Sequence, residues 1–230
     1  MTASVPRYLP IYLELESLSV ALRKIANQVQ GDLLLDIGCG QRPYATLFAS
    51  VTRYVGIDLP TSGVMSGEPD AWADGMVLPF RSGAFDIVLC TQVLEHAQRP
   101  WWLVEESYRV LKAGGFFILT APQTWGLHEE PRDYYRFTSY GLRYLLERTG
   151  FQVKTLEARG GVFRMVGQTL MNFWYIHHQI PRLNVWRKAA NILWNSFFSS
   201  LDRRWCWEKD TLGYAVLAIR PEGIASARDQ

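Results

Sequence analysis

Short apolar runs and helix-period stretches alternate along this chain. Leu33–Ile37, Arg53–Asp58, a short Asp70–Asp74, Phe85–Cys90 and Phe116–Thr120 read as strands. Near-continuous apolar runs of this length fit strands buried on both faces. From about Tyr8 to Val29, Leu15, Leu18, Leu22, Ile25 and Val29 recur at steps of three and four, which predicts a helix. Arg99 to Lys112 places Leu103, Val104, Ser107, Val110 and Leu111 on one helical face. Lys112-Ala113-Gly114-Gly115 stops that helix with a cation and glycines. Thr138 is the predicted N-cap of a further helix, with Phe137 and Leu142 as its hydrophobic staple and Gly150 as its end. Phe151–Ala158 and Leu212–Ile219 supply two more strands. Strands alternating with helices imply an α/β fold around a mostly parallel, doubly wound sheet of seven strands.

Residues 160–210 separate the last two strands, and intervals this long are usually lids or extra elements. This insert is rich in aromatics, among them Phe163, Phe173, Trp174, Trp186, Trp194, Phe197, Trp205 and Trp207, interspersed with cations. Three readings stay open. The segment is a helical cover with aromatics in its own core, a roof over a partly apolar acceptor, or a peripheral membrane contact. Residues 1–30 read as an N-terminal helical segment that either caps the ligand cleft or packs on the sheet.

The densest chemical signal is LLLDIGCGQRPY, Leu33 to Tyr44. Glycines at 38 and 40 allow a tight turn and close approach to a ligand. Asp58 closes the next strand, where an acid can hydrogen-bond a ribose diol. A dinucleotide fingerprint wants a third glycine so that the helix N-terminus can hold a pyrophosphate. Here Gln41, Arg42, Pro43 and Tyr44 follow, and Asp36 precedes the turn. A carboxylate there repels a pyrophosphate and attracts a cation. S-adenosylmethionine, with a sulfonium, an ammonium and no phosphate, fits better than NAD.

Four segments, LLLDIGCG, YVGIDL, ADGMVLPFRSGAFDIVLCTQVLEH and RVLKAGGFFILTAPQ, stand in the order seen in class I S-adenosylmethionine-dependent methyltransferases. The chain resembles their small-molecule group, type 11, over roughly Leu33 to Gln123. The run HEEPRDYYRFTSYGLRYLLERTGF resembles a subgroup associated with glycan, cell-envelope or secondary-metabolite clusters. The resemblance implies a Rossmann-like sheet whose last two strands form an antiparallel edge hairpin. It also implies that Asp36, Gly38 and Gly40 line the methionine part of the cofactor. Asp58 takes the ribose hydroxyls, Leu59 faces the adenine, and Asp74 and Gly75 meet its ring. Thr91 and Gln92 lie where the methionine end is reached. It gives Asp86 a structural role at the start of the fourth strand.

For the acceptor, His128 is the first candidate base or ligand and His96 the second, because histidine titrates nearest neutrality. Asp133, Tyr135 and Arg136 are candidate acceptor-binding residues, and equally a hydrogen-bonded loop that fixes the helix entrance. The expected function is in-line methyl transfer to a small or lipid-linked acceptor. The alternatives are a non-catalytic cofactor-binding partner protein and a nicotinamide oxidoreductase.

Composition narrows the rest. A chain of 230 residues with net charge +2 has no global field to recruit nucleic acid, which is not an expected partner. Cys39, Cys90 and Cys206 lack metal spacing, so no metal ligand is assigned and reduced thiols in a cytoplasmic protein are expected. MTASVPRYLP has no apolar signal core, and no run is long enough to span a membrane. The polar tail 221–230 is expected to be disordered.

Overall fold

The computed structural model describes residues 5–60, 69–177 and 184–223. Most of the tail, 224–230, and the first four residues lie outside them. Seven strands form one sheet: β1 (Leu33–Ile37), β2 (Arg53–Asp58), β3 (Ala71–Trp72), β4 (Phe85–Thr91), β5 (Leu111–Pro122), β6 (Gln152–Ala158) and β7 (Gly213–Ile219). Their spatial order is β3-β2-β1-β4-β5-β7-β6. β7 runs antiparallel to both neighbours, and the other pairings are parallel. This is the Rossmann-like sheet with an antiparallel edge that the sequence leads one to expect.

Helices cover both faces. On one side α1 (Tyr12–Ala26) lays Leu18, Leu22 and Ile25 over Leu34, Ile87, Leu89 and Ile118. On the other, α2 (Pro100–Val110) and α3 (Ser139–Thr149) bring Leu103, Val104, Leu142 and Leu146 against Leu35, Val88 and Phe117. The N-terminal helix therefore packs on the sheet. Thr138 caps α3 as expected, its hydroxyl accepting from the Gly141 amide at 3.1 Å, and Gly150 ends it in the left-handed region.

Two boundaries differ from the sequence pattern. β5 begins at Leu111, within the presumed helix and ahead of its stop, because Leu111 pairs with Phe85 before the register shifts to Ile87 opposite Phe116. Gly114, at φ +78°, lets the strand bulge there. Between β1 and β2 the chain forms only a 3-10 turn, Ala45–Phe48. Asp86 has its expected structural part: its carboxylate accepts from the Asp32 and Leu33 amides and from Lys112 Nζ.

The insert folds as two antiparallel helices, α4 (Val162–His177) and α5 (Val185–Arg204), packed on each other and on α1. It leaves the sheet after β6, at the rim formed by the C-terminal ends of the parallel strands.

Candidate cofactor and acceptor site

The strand order reverses at β1, which has β2 on one side and β4 on the other. Ligands of open α/β sheets bind beyond the strand ends at such a point. A shallow cleft opens there, with Gly38, Asp58, Leu59, Asp74, Gly75 and His96 in its wall. Asp36, Gly40, Thr91 and Gln92 are not in that wall, although Ile37 and Val93, next to Asp36 and Gln92 in the chain, and Asp58, which the Gly40 amide meets, are.

Local geometry explains the glycines. Gly38 sits at φ +68°, and a Cβ there would approach Val93 Cγ2 to 2.3 Å. The amides of Gly38 and Cys39 both donate to Ile57 O, which clamps the turn onto β2. Gly40, at φ +47°, faces open space instead. Its amide donates to Asp58 Oδ2 at 2.9 Å, while Asp58 Oδ1 accepts from the Leu59 amide at 2.7 Å. A carboxylate has about four acceptor sites, so Asp58 fixes the loop and keeps capacity for a diol. Asp74 Oδ1 accepts from the Met76 amide at 2.8 Å, and Gly75 packs against Ile37, where a Cβ would come within 2.8 Å of Cγ2.

Asp36 is 1% exposed. The Tyr54 hydroxyl donates to its Oδ2, and Oδ1 has no partner among the described residues. Burial pushes its carboxyl up to about 7, against the Tyr54 hydrogen bond, with the Asp58 charge adding to the rise. A buried, half-satisfied carboxylate is costly unless a donor or cation completes it. With Asp58 and Asp74 nearby, the donor set favours a ligand with cationic groups and hydroxyls over a pyrophosphate. The residues present thus fit S-adenosylmethionine.

Thr91 ends β4 and is buried. Gln92 follows at φ +55°, a strained conformation for a non-glycine residue. Its amide meets Thr120 O and Oγ1, and its Nε2 donates to the same hydroxyl at 3.1 Å, so it braces β4 against β5.

Beyond this brace the rings of His96 and His128 meet edge to face, their centroids 4.7 Å apart. His96 Nδ1 lies 2.6 Å from Arg132 O, and His128 Nδ1 lies 3.2 Å from both Gly126 O and Asp133 Oδ2. Each Nδ1 faces acceptors only, so it carries the proton and the basic lone pair sits on Nε2. Arg136 grips Asp133 through Nη1 at 2.6 Å and Nη2 at 2.7 Å, and donates to Trp125 O from Nε. That grip holds the Asp133 carboxyl down to about 2. Tyr135 donates its hydroxyl to Gln98 O. Asp133, Tyr135 and Arg136 thus spend their polar groups on the loop that carries His128.

Three features escape sequence reasoning. Glu95 is fully buried beneath His96 with neither oxygen partnered among the described residues, and burial pushes it up to about 8. Ligand-type atoms of Glu95, His96 and His128 lie within 4.8 Å of one another, a spacing a divalent cation could bridge, although no metal ligand was expected. Tyr54 is the second, and the register signals it: it stands two residues before Gly56, the partner of Asp36, hence on the same sheet face. Third, Arg159 at the end of β6 is fully buried and pairs with Glu14 of α1 at 2.6 Å.

Residues 35–119 match the family model described as a methyltransferase domain. An uncharacterized methyltransferase of Mycobacterium leprae (strain Br4923) is 36% identical over 99 residues, covering 39% of this chain and 37% of the relative. The chain thus spans well under half the length of that relative. Among solved structures, the [4+2]-cyclase SpnF superposes with a TM-score of 0.59 at 20% identity, covering 90% of this chain and 81% of that one. A SAM-dependent methyltransferase from Archaeoglobus fulgidus gives 0.55 at 18%, covering 90% and 94%. A cyclase among them shows that the fold alone does not fix a reaction. Residues 35–119 are thus similar to a methyltransferase domain, and the Rossmann-like fold that carries them is one shared with solved S-adenosylmethionine-dependent methyltransferases.

Proposed function

We propose that this chain transfers the methyl group of S-adenosylmethionine to a small or lipid-linked acceptor. The observation that carries the proposal is the arrangement of Asp36, Asp58 and Asp74 at the switch point of the sheet, with the paired histidines at the same rim. The cofactor supplies an electrophilic methyl on sulfur and departs neutral, so its leaving group needs no acid. The protein's task is to align the reactants, which can be worth roughly 7–11 kcal/mol. Asp36 and the Gly38–Gly40 turn hold the cationic end, Asp58 the ribose, and Leu59, Asp74 and Gly75 the adenine. His128 Nε2, with His96 beside it, receives the proton of an acceptor hydroxyl. Acceptors of the subgroup linked to glycan, cell-envelope or secondary-metabolite synthesis are consistent with the 128–151 segment.

Calorimetry with S-adenosylhomocysteine and with NAD tests the cofactor. The first binds and the second does not. Asp58→Ala weakens that binding by roughly 1.5–3 kcal/mol, through loss of charge-assisted bonds to the ribose and release of the Gly40 turn. Tight NAD binding with none for the methyl donor sinks the proposal. So does tight cofactor binding with no labelled methyl reaching any hydroxyl-, amine- or isoprenoid-bearing acceptor; that outcome favours a non-catalytic binding protein.

Asp36 makes cofactor affinity depend on pH. Its carboxyl, at about 7 without ligand, must ionise to meet a cation. Affinity therefore rises with pH by up to about tenfold per unit below 7 and levels off above it. Asp36→Asn binds weakly and removes the slope. Glu95→Gln, which removes the other carboxyl titrating in this range, keeps it. An unaltered slope in Asp36→Asn assigns the dependence elsewhere.

A further inference from the structure

The α4–α5 hairpin is amphipathic in the inverted sense. On α5, Asn191, Asn195, Ser199 and Asp202 step by four, four and three and are buried. On the opposite face Trp186, Ala190, Leu193 and Phe197 step by four, three and four; Trp186 is 82% exposed, Leu193 72% and Phe197 58%. α4 follows the same rule, with Arg164 and Gln168 buried while Val166, Leu170, Phe173 and Trp174 are exposed. A helix that covers a core in water has these faces reversed.

The polar faces have a structural cause. The segment leading into α1 runs beneath the hairpin, and its carbonyls need donors. Asn191 Nδ2 donates to Tyr8 O, Asn195 Nδ2 to Arg7 O and Leu9 O, and Gln168 Nε2 to Pro10 O. Asp202 accepts from the Gly161 and Arg164 amides. Nothing in that account explains the apolar outer face.

Charge decides what covers it. Among the described side chains of α4 and α5, every exposed charge is positive: Arg187, Lys188, Arg203 and Arg204. The two remaining charged groups, Arg164 and Asp202, are turned inward. At the end of α5, Arg204 lies over the Trp205 ring, and just beyond it Lys209 lies over the Trp207 ring; both tryptophans are exposed, as are the acids Glu208 and Asp210 of the same segment. Aromatic rings beside cations suit the boundary between water and hydrocarbon, and a basic rim suits an anionic headgroup layer. No helix among the described residues is long and apolar enough to cross a membrane.

We infer that the outer face of α4–α5 docks on an anionic lipid bilayer, lying in the interface plane with Trp186, Leu193 and Phe197 inserted. The hairpin leaves the sheet at the rim that bears the cofactor cleft, so docking brings that rim to the lipid surface. The inference does not depend on methyl transfer, and its test reads lipid binding alone.

Flotation with vesicles of phosphatidylcholine, with and without phosphatidylglycerol, tests it on the whole chain. The protein rises with the anionic vesicles, much less with the neutral ones, and less as salt is added. L193S/F197S lowers the partition roughly tenfold or more, and R203E/R204E roughly tenfold or more. All four side chains are exposed or face solvent, so both variants keep the wild-type unfolding midpoint and cofactor affinity. Failure to float with anionic vesicles at low salt overturns the proposal. So does flotation unchanged in both variants. Self-association that L193S/F197S abolishes, in a protein that does not float, assigns the face to a second copy of the chain instead.

Discussion

Arg159→Met destabilises the fold by about 3–5 kcal/mol, because it leaves Glu14 charged and buried without its partner. Arg159 is fully buried at the end of β6, and its Nη1 meets Glu14 Oε1 at 2.6 Å. The pair joins α1 to the antiparallel edge of the sheet, two elements 145 residues apart in sequence. Arg159 Nε and Nη2 and Glu14 Oε2 have no partner among the described residues, so the pair is incompletely satisfied. Gly213 belongs to the same arrangement: a Cβ there would lie 2.6 Å from Arg159 Nη2 and 2.4 Å from Ala121 O. A half-satisfied buried pair contributes little net stability, yet breaking it is expensive. The double variant Glu14→Met/Arg159→Met should therefore recover most of the loss. Urea unfolding of the two variants decides it. A single variant within about 1 kcal/mol of wild type would show that water or the remaining polar groups solvate Glu14. Since whole domains are stable by about 5–15 kcal/mol, the single change is a large fraction of the total.

What the sequence makes legible follows from how locally each feature is determined. β1 and β4 are apolar runs because both their faces are covered, by α1 on one side and α2 with α3 on the other. The Gly38-Cys39-Gly40 turn is legible because its positive φ angles restrict residue choice. The N-cap at Thr138 and the stop at Gly150 are set within a few residues. The start of β5 is less local: Lys112-Ala113-Gly114-Gly115 stops a helix and serves a bulge equally well, and only pairing with β4 decides. The insert shows the limit most clearly. A helical cover is one of the readings open for it, but two stripes share α5, and the pattern alone does not say which faces inward. The carbonyls of residues 7–10 decide in favour of Asn191 and Asn195, from more than 180 residues away. Most of the aromatics therefore do not fill a core of their own, with Phe163, Trp194 and Phe198 as partial exceptions. At the candidate site, Asp36, Asp58 and Asp74 are ordered by motif, whereas Glu95, Tyr54 and the meeting of His96 with His128 depend on the packing of separate segments.

That meeting carries the largest expected effect on chemistry. His128→Ala should lower kcat for a hydroxyl acceptor by about 10²–10⁴-fold, the usual range for removing a positioned base. Cofactor affinity should stay within about twofold, because His128 is not in the cleft wall and His96 is. Asp133 and the Gly126 carbonyl fix the Nδ1–H tautomer of His128, so Asp133→Asn should share part of the loss without removing the ring. Asp133 also anchors Arg136, and a fall in the unfolding midpoint of Asp133→Asn reports that separate role. Added imidazole should restore part of the activity of His128→Ala, since the missing group is a base and not a shape. His96→Ala should raise KM as well as lower kcat, because its ring both borders the cleft and packs on His128. A His128→Ala enzyme with unchanged kcat and a raised KM would make His128 an acceptor ligand. The proton would then leave to solvent or to Glu95, whose buried carboxyl, pushed up to about 8, needs to lose its own proton before it can accept one.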